Sequence, residues 1–346
     1  MDGIIEEAPI SSTQNWGMVG HEHAIDILRR ALLAERVRHA YLFTGPEHIG
    51  KTLLAQRLAQ TLLCTSGPDP RIAPTDPCNH CLSCRKVLHG NHPDVHYISK
   101  PADRQFIVIE QVRELQGSSA RRTMEGRRNI FIIEGAHNMN VQAANAFLKT
   151  LEEPEPEVVL LLTAPDASLL LPTIQSRVQM ISMHLLTTSQ VKTALEQRWE
   201  VDPAESTLIA ALAAGRMGWA VQAVEDEDML QDRKSQLEML TRLPSQSRVQ
   251  RFEVAQRLSG DSDKLHAILE LWLLWWRDMV LAANGSLDLI VNVDMRDLLK
   301  KQAEKLGAAE SEKVVRAILR TMNSLDQNVG ARIALEVLML DLPTLA

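Results

Sequence analysis

Gly45-Pro46-Glu47-His48-Ile49-Gly50-Lys51-Thr52 is a complete G-x-x-x-x-G-K-[ST], and its reading decides the fold. The chemistry of such a loop needs glycines so that the backbone can curl and turn its N–H groups toward phosphate oxygens. The lysine then meets the β- and γ-phosphates, and the final hydroxyl holds Mg²⁺. Gly45, Gly50, Lys51 and Thr52 are therefore candidate nucleotide-binding residues. A chance match inside a loop is the plain alternative, and the flanks weigh against it. The apolar run Tyr41-Leu42-Phe43-Thr44 leads in, and Lys51 to Leu63 follows with the Leu/Ala periodicity of a helix.

Outward from the loop, Asn129-Ile130-Phe131-Ile132-Ile133 and Val158 to Leu162 are apolar runs with no polar alternation. That pattern fits strands buried on both faces of a parallel sheet. Helical patterns at Ile109 to Leu115 and Val141 to Leu151 alternate with them, so an α/β domain is predicted, ending after the strand-like Val178-Gln179-Met180-Ile181. From Thr188 the strand signal disappears. Ser189, Pro203, Gly215 and Gly218 punctuate three short helices, and helical periodicity then runs on: Arg248 to Leu258, Lys264 to Ala283, Val293 to Leu306, Glu310 to Gln327 and Ala331 to Leu340. The expected architecture is an α/β P-loop domain with a parallel sheet (1–186), carrying an inserted cysteine module (64–84). A small three-helix domain (187–230) and an all-α C-terminal domain (231–346) follow.

Composition agrees. The 346 residues are 45% hydrophobic and 23% charged, which excludes wholesale disorder, and 4% aromatics argue against a β-sandwich. A net charge of −7 excludes a uniformly basic surface but not a local basic patch. Met1 to Glu7 is acidic where a secretory signal needs positive charge, and the most apolar stretch, Ile268 to Trp276, is broken by Glu270. All 4 cysteines fall between Cys64 and Cys84, unlike a secreted disulfide framework. A soluble, cytoplasmic chain without a membrane segment is expected.

Cys78, Cys81 and Cys84 form a C-x₂-C-x₂-C knuckle, and Cys64 ends the preceding helix. Four thiolates close a tetrahedral Zn²⁺ shell and leave no position for water, so the predicted site is structural. Free buried cysteines are the alternative. An iron–sulfur cluster is disfavoured because no further Cys follows Cys84. His80, His89 and His92 are spare ligands. After the Asn129–Ile133 strand come Glu134 and Gly135. Glu134 can reach magnesium through water, whereas Gly135 stands where a P-loop ATPase keeps its water-activating glutamate. Loss of a positioned base typically costs about 10²–10⁴-fold in rate.

Asn145-Ala146-Phe147-Leu148-Lys149-Thr150-Leu151-Glu152-Glu153-Pro154 is very similar to a stretch of the AAA+ sliding-clamp loader subunits. So are His39 to Phe43 before the P-loop, the cysteine module, and Leu171-Pro172-Thr173-Ile174-Gln175-Ser176-Arg177, all in the family's order. The resemblance implies an AAA+ domain, with a lid for 187–230 and an oligomerising collar for 231–346. It implies that Arg177 lies in the family's Ser-Arg-Cys motif and reaches a neighbouring subunit's ATP, although Val178 replaces the cysteine. Thr163 matches the polar sensor of the γ-phosphate, and Gly218 stands where motor subunits carry a lid arginine. The expectation is a rigid loader subunit that binds ATP or ADP with Mg²⁺, turns it over negligibly, and lends Arg177 in trans. Its partners would be the other loader subunits and, through the assembly, the sliding clamp and primer–template DNA. An ATP-hydrolysing motor subunit of the same machine and an unrelated P-loop nucleotide kinase are the alternatives.

Two further features carry weaker expectations. The basic cluster Arg113, Arg121, Arg122, Arg127 and Arg128 invites either phosphate contact or a solvated turn. Trp272, Trp275 and Trp276 fall on one helical face, predicting a core or subunit-contact stripe rather than a base-stacking platform.

Overall fold

Short runs of aliphatic residues pair into a single parallel sheet, which organises the first half of the chain. The computed structural model describes residues 14–67, 69, 72–101, 104–260, 262–327 and 329–344, and the acidic Met1–Glu7 stretch lies outside them. The strands are β1 (Ala40–Thr44), β2 (Val95–Ile98), β3 (Asn129–Ile133), β4 (Val158–Ala164) and β5 (Gln179–Ser182), in the order β2-β3-β4-β1-β5. Every neighbouring pair is parallel. The three central strands are buried at every position, which is why their sequences lack polar alternation, while the edge strands β2 and β5 are only partly buried.

Successive side chains on these strands point to opposite faces. Tyr41, Phe43, Ile130, Ile132, Val159 and Leu161 face the core shared with α1 (Glu22–Leu33) and α2 (Lys51–Leu63). Leu42, Phe131, Ile133, Leu160 and Leu162 pack with α4 (Ile109–Ser119) and α5 (Val141–Glu152) on the other. The short α3 (Leu82–Leu88) carries the last cysteine, α6 (Pro172–Gln175) has Pro172 in its first turn, and α7 (Thr188–Arg198) opens on a Thr187/Gln190 capping box.

By its contacts the chain divides into two compact units, Met1–Glu200 with Gly215–Trp219, and Val201–Ala214 with Ala220–Ala346. The helices of the expected lid are thus shared between them. The second unit contains α8 (Pro203–Ala213), most of α9 (Met217–Glu225), α10 (Glu227–Arg242), α11 (Arg248–Leu258), α12 (Ser262–Ala283), α13 (Arg296–Asp326) and α14 (Ala331–Asp341). Where two helices were expected over 293–327, α13 runs through with a kink at Gly307 (φ 74°, ψ 168°). Trp272, Trp275 and Trp276 are buried within this unit's own core, so the stripe is core and not a subunit contact.

One buried guanidinium closes this unit. Arg251, 4% exposed, donates to the carbonyls of Leu243, Pro244, Met339, Leu342 and Pro343 at 2.8–3.1 Å. Its charge sits where the ends of α10 and α14 expose carbonyls that have lost their helical partners. Arg251→Met is expected to lower unfolding stability by about 3 kcal/mol, because several buried acceptors are orphaned together. Urea unfolding of the full chain checks this, and a loss below about 1 kcal/mol would mean that water satisfies those carbonyls.

Candidate functional site

The carboxyl ends of four strands deliver the residues of one cavity of about 330 Å³. The loop after β1 brings Glu47, His48, Lys51 and Thr52, and the turn after β2 brings Ser99 and Lys100. The segment after β3 brings Glu134, Gly135, His137 and Asn138, while β4 ends in Thr163 and Ala164. Open α/β sheets bind ligands at this edge. Four residues predicted from the sequence, Lys51, Thr52, Glu134 and Thr163, are therefore brought together. Gly45 follows β1 directly, and Gly50 caps α2.

Within the cavity Lys51 Nζ donates to the carbonyls of Gly45 and Pro46, both at 2.7 Å. Burial draws its pKa below the usual lysine value, against the opposing pull of Glu47. Burial likewise pushes the Glu134 carboxyl above the ordinary range, and a hydrogen bond with the Thr52 side chain works the other way. Thr163 is buried, and its Oγ1 accepts the Gly135 N–H at 3.0 Å, tying the ends of β3 and β4 together.

Gly135 and Gly218 both lie where an added Cβ would come within 3 Å of a neighbouring atom. Gly135 has φ +63°, and a Cβ there would lie 2.6 Å from Asn138 Nδ2. A glutamate at 135 would meet backbone strain, whereas the close atom is the movable end of the Asn138 side chain. The Gly218 N–H donates to the His48 carbonyl at 2.7 Å, and a Cβ on Gly218 would lie 2.7 Å from that same oxygen. The P-loop is also braced by His21, whose Nε2 donates to the Ile49 carbonyl at 3.0 Å. The sequence reading missed His21, Ser99, Lys100 and His137. The last three sit one to four residues past strand ends, so recognising β2 as a strand would have brought Ser99 and Lys100 into view.

The cysteines form a separate cluster. The sulfurs of Cys64, Cys78, Cys81 and Cys84 all lie within 4.8 Å of one another. Cys78 Sγ and Cys84 Sγ are 3.9 Å apart, against a tetrahedral edge of about 3.8 Å for four thiolates at the usual zinc–sulfur distance. Backbone N–H groups of Cys81 and Cys84 point at Cys78 Sγ (3.3 Å) and Cys81 Sγ (3.4 Å), as a thiolate knuckle needs. A hydrogen bond from Cys84 pulls the Cys64 thiol down to about 4, and the same contact pushes Cys84 up. The four-cysteine cluster can hold a metal ion. His92 is engaged instead with Ser83 Oγ and the Asp94 N–H, and His80 with the Cys78 carbonyl, so neither joins the sulfurs.

Arg127 of the basic cluster turns inward and donates to the Cys64 carbonyl. Its loop is held from below by buried Asp94, which accepts the N–H groups of Met124, Glu125 and Gly126 at 2.6–2.9 Å. This arginine thus braces the cysteine module.

Arg177 does not line the cavity of its own chain. It follows α6 and is 35% exposed. Its Nη1 donates to the Thr173 carbonyl (2.9 Å) and Ser176 Oγ (3.1 Å), and its Nη2 lies 2.8 Å from Glu152 Oε1.

Residues 20–187 match the family described as "DNA polymerase III, delta subunit". The chain is 27% identical over 317 residues to DNA polymerase III subunit delta' of Bacillus subtilis, covering 91% of this chain and 93% of that protein. It is 42% identical over 139 residues to the delta' subunit of Pseudomonas aeruginosa, covering 40% of this chain and 41% of that one. It is 24% identical over 343 residues to the tau subunit of Bacillus subtilis, covering 92% of this chain and 60% of tau.

Proposed function

We propose, from the premise that this chain is a member of the AAA+ clamp-loader family of DNA polymerase III subunits, that it is the delta-prime-type stator. It assembles with motor subunits and supplies Arg177 to a neighbour's ATP site during loading of the sliding clamp onto primed DNA. The observation that carries this is a combination: Gly135 and Gly218 stand where a motor needs side chains, the first at a positive φ and the second against the His48 backbone, while Arg177 stays at the surface away from its own P-loop. In the neighbour's site a guanidinium opposes the charge developing on the γ-phosphate. Thr163, by contrast, is the sensor residue of this chain's own cavity.

The P-loop is proposed to hold ATP or ADP. The 45–52 backbone and Lys51 would take the phosphates, and Thr52 and Glu134 would hold Mg²⁺. To do so Lys51 must leave the Gly45 and Pro46 carbonyls. Structural Zn²⁺ would sit on Cys64, Cys78, Cys81 and Cys84. Residues 187–230 are proposed as the lid and 231–346 as the collar that meets the other subunits. A cytoplasmic location goes with this role, and among the described residues no helix is long and apolar enough to cross a membrane.

The similarity to tau, which spans 92% of this chain and 60% of tau, and the intact Lys51 and Thr52 favour a motor subunit as the second reading. Nucleotide binding and steady-state hydrolysis by the isolated chain decide between them. Saturable, Mg²⁺-dependent binding is expected, with turnover about 10²–10⁴-fold below that of a P-loop subunit retaining its base. Turnover at a motor's rate would overturn the stator reading.

A further inference from the structure

Glu152 is the last residue of α5, and a carboxylate there faces the negative end of the helix dipole. The position costs the helix something, and among the described residues its ion-pair partner is Arg177, at 2.8 Å. Both side chains are partly exposed, at 51% and 35%. The other contacts of the guanidinium, from Nη1 to the Thr173 carbonyl and Ser176 Oγ, are to neutral groups in and just after α6. The carboxylate is therefore the group that neutralises its charge.

We propose that Glu152 is a clasp that sets the availability of Arg177: a positioning residue that holds the guanidinium folded back until a neighbour's triphosphate displaces it. This rests on the trans role proposed above. An exposed ion pair is weak and screened by salt, so the clasp holds only loosely. A phosphate presents more negative charge and a geometry suited to bidentate arginine, and it outcompetes one carboxylate once the subunits close. Until then only the unclasped fraction is competent, and the apparent affinity of the completed site for ATP is reduced by that fraction. Clasping also spares an unassembled chain a free guanidinium that other anions would take.

The test is a reconstituted loader carrying wild type, Glu152→Gln, Arg177→Ala or both, assayed for ATPase activity after assembly is verified by gel filtration. Glutamine keeps the shape and removes the charge. Glu152→Gln is expected to raise kcat/KM for ATP by about 2- to 5-fold, with a smaller change in kcat. The gain should shrink with added salt and vanish in the Arg177→Ala background, which a merely structural effect would not do. If Arg177→Ala hydrolyses at the wild-type rate, the trans role itself falls and the clasp with it. If Arg177→Ala is impaired but Glu152→Gln matches wild type or loses activity, the trans role stands and the clasp is overturned.

Discussion

Replacing Arg177 by alanine in a reconstituted loader is expected to slow hydrolysis by about 10³–10⁵-fold at the neighbouring site it completes, while the assembly stays intact. The magnitude follows from the proposed trans role: a guanidinium brought to a water-poor subunit boundary would meet a γ-phosphate whose charge rises toward the transition state. Nothing in this chain's own fold depends on that side chain, since its partners are one carbonyl, one hydroxyl and one exposed carboxylate. Folding and assembly should therefore survive. Single-turnover hydrolysis by the complex, with gel filtration of the same sample, separates the outcomes. An assembly that forms normally and hydrolyses at the wild-type rate at every site would contradict the proposal, as would one that fails to form.

Removing a cysteine of the cluster should have the second large effect. Cys84→Ser is expected to take the metal content of the purified chain from one zinc ion to none. It should also remove much of the roughly 10–16 kcal/mol that a structural zinc site contributes to folding. Cys84 is the informative choice because it is buried in α3 and tied to α2 through the Gln60 side chain, which donates to the Cys84 carbonyl at 3.0 Å. Loss of metal would free the 64–84 segment and also the end of α2, whose other end is the P-loop. Metal analysis and thermal unfolding with and without a chelator provide the readout. A wild-type chain that carries no metal and melts unchanged in chelator would remove the zinc assignment.

The parts of the fold that sequence made legible are those whose environment is uniform. β1, β3 and β4 are buried on both faces, so their composition alone announced them, and α2 and α11 run over the predicted residues. β2 went unread because Val95-His96-Tyr97-Ile98 is a partly buried edge strand of four residues, with no apolar run to mark it. The α1 helix, Glu22–Leu33, was missed although its apolar residues recur at helical spacing. In the candidate site, Lys51, Thr52, Glu134 and the cysteines were readable because local spacing dictates their geometry. Neither the Glu152–Arg177 pair nor the Met339, Leu342 and Pro343 carbonyls around Arg251 could be read the same way, because tertiary folding brings together partners that lie far apart along the chain.

Because the Gly218 backbone lies against the His48 carbonyl, a side chain at 218 would press on the P-loop itself, so the shape of that loop depends on a glycine far from it along the chain. A substitution at 218 alone is therefore expected to shift the 45–52 loop even though the altered residue lies outside it.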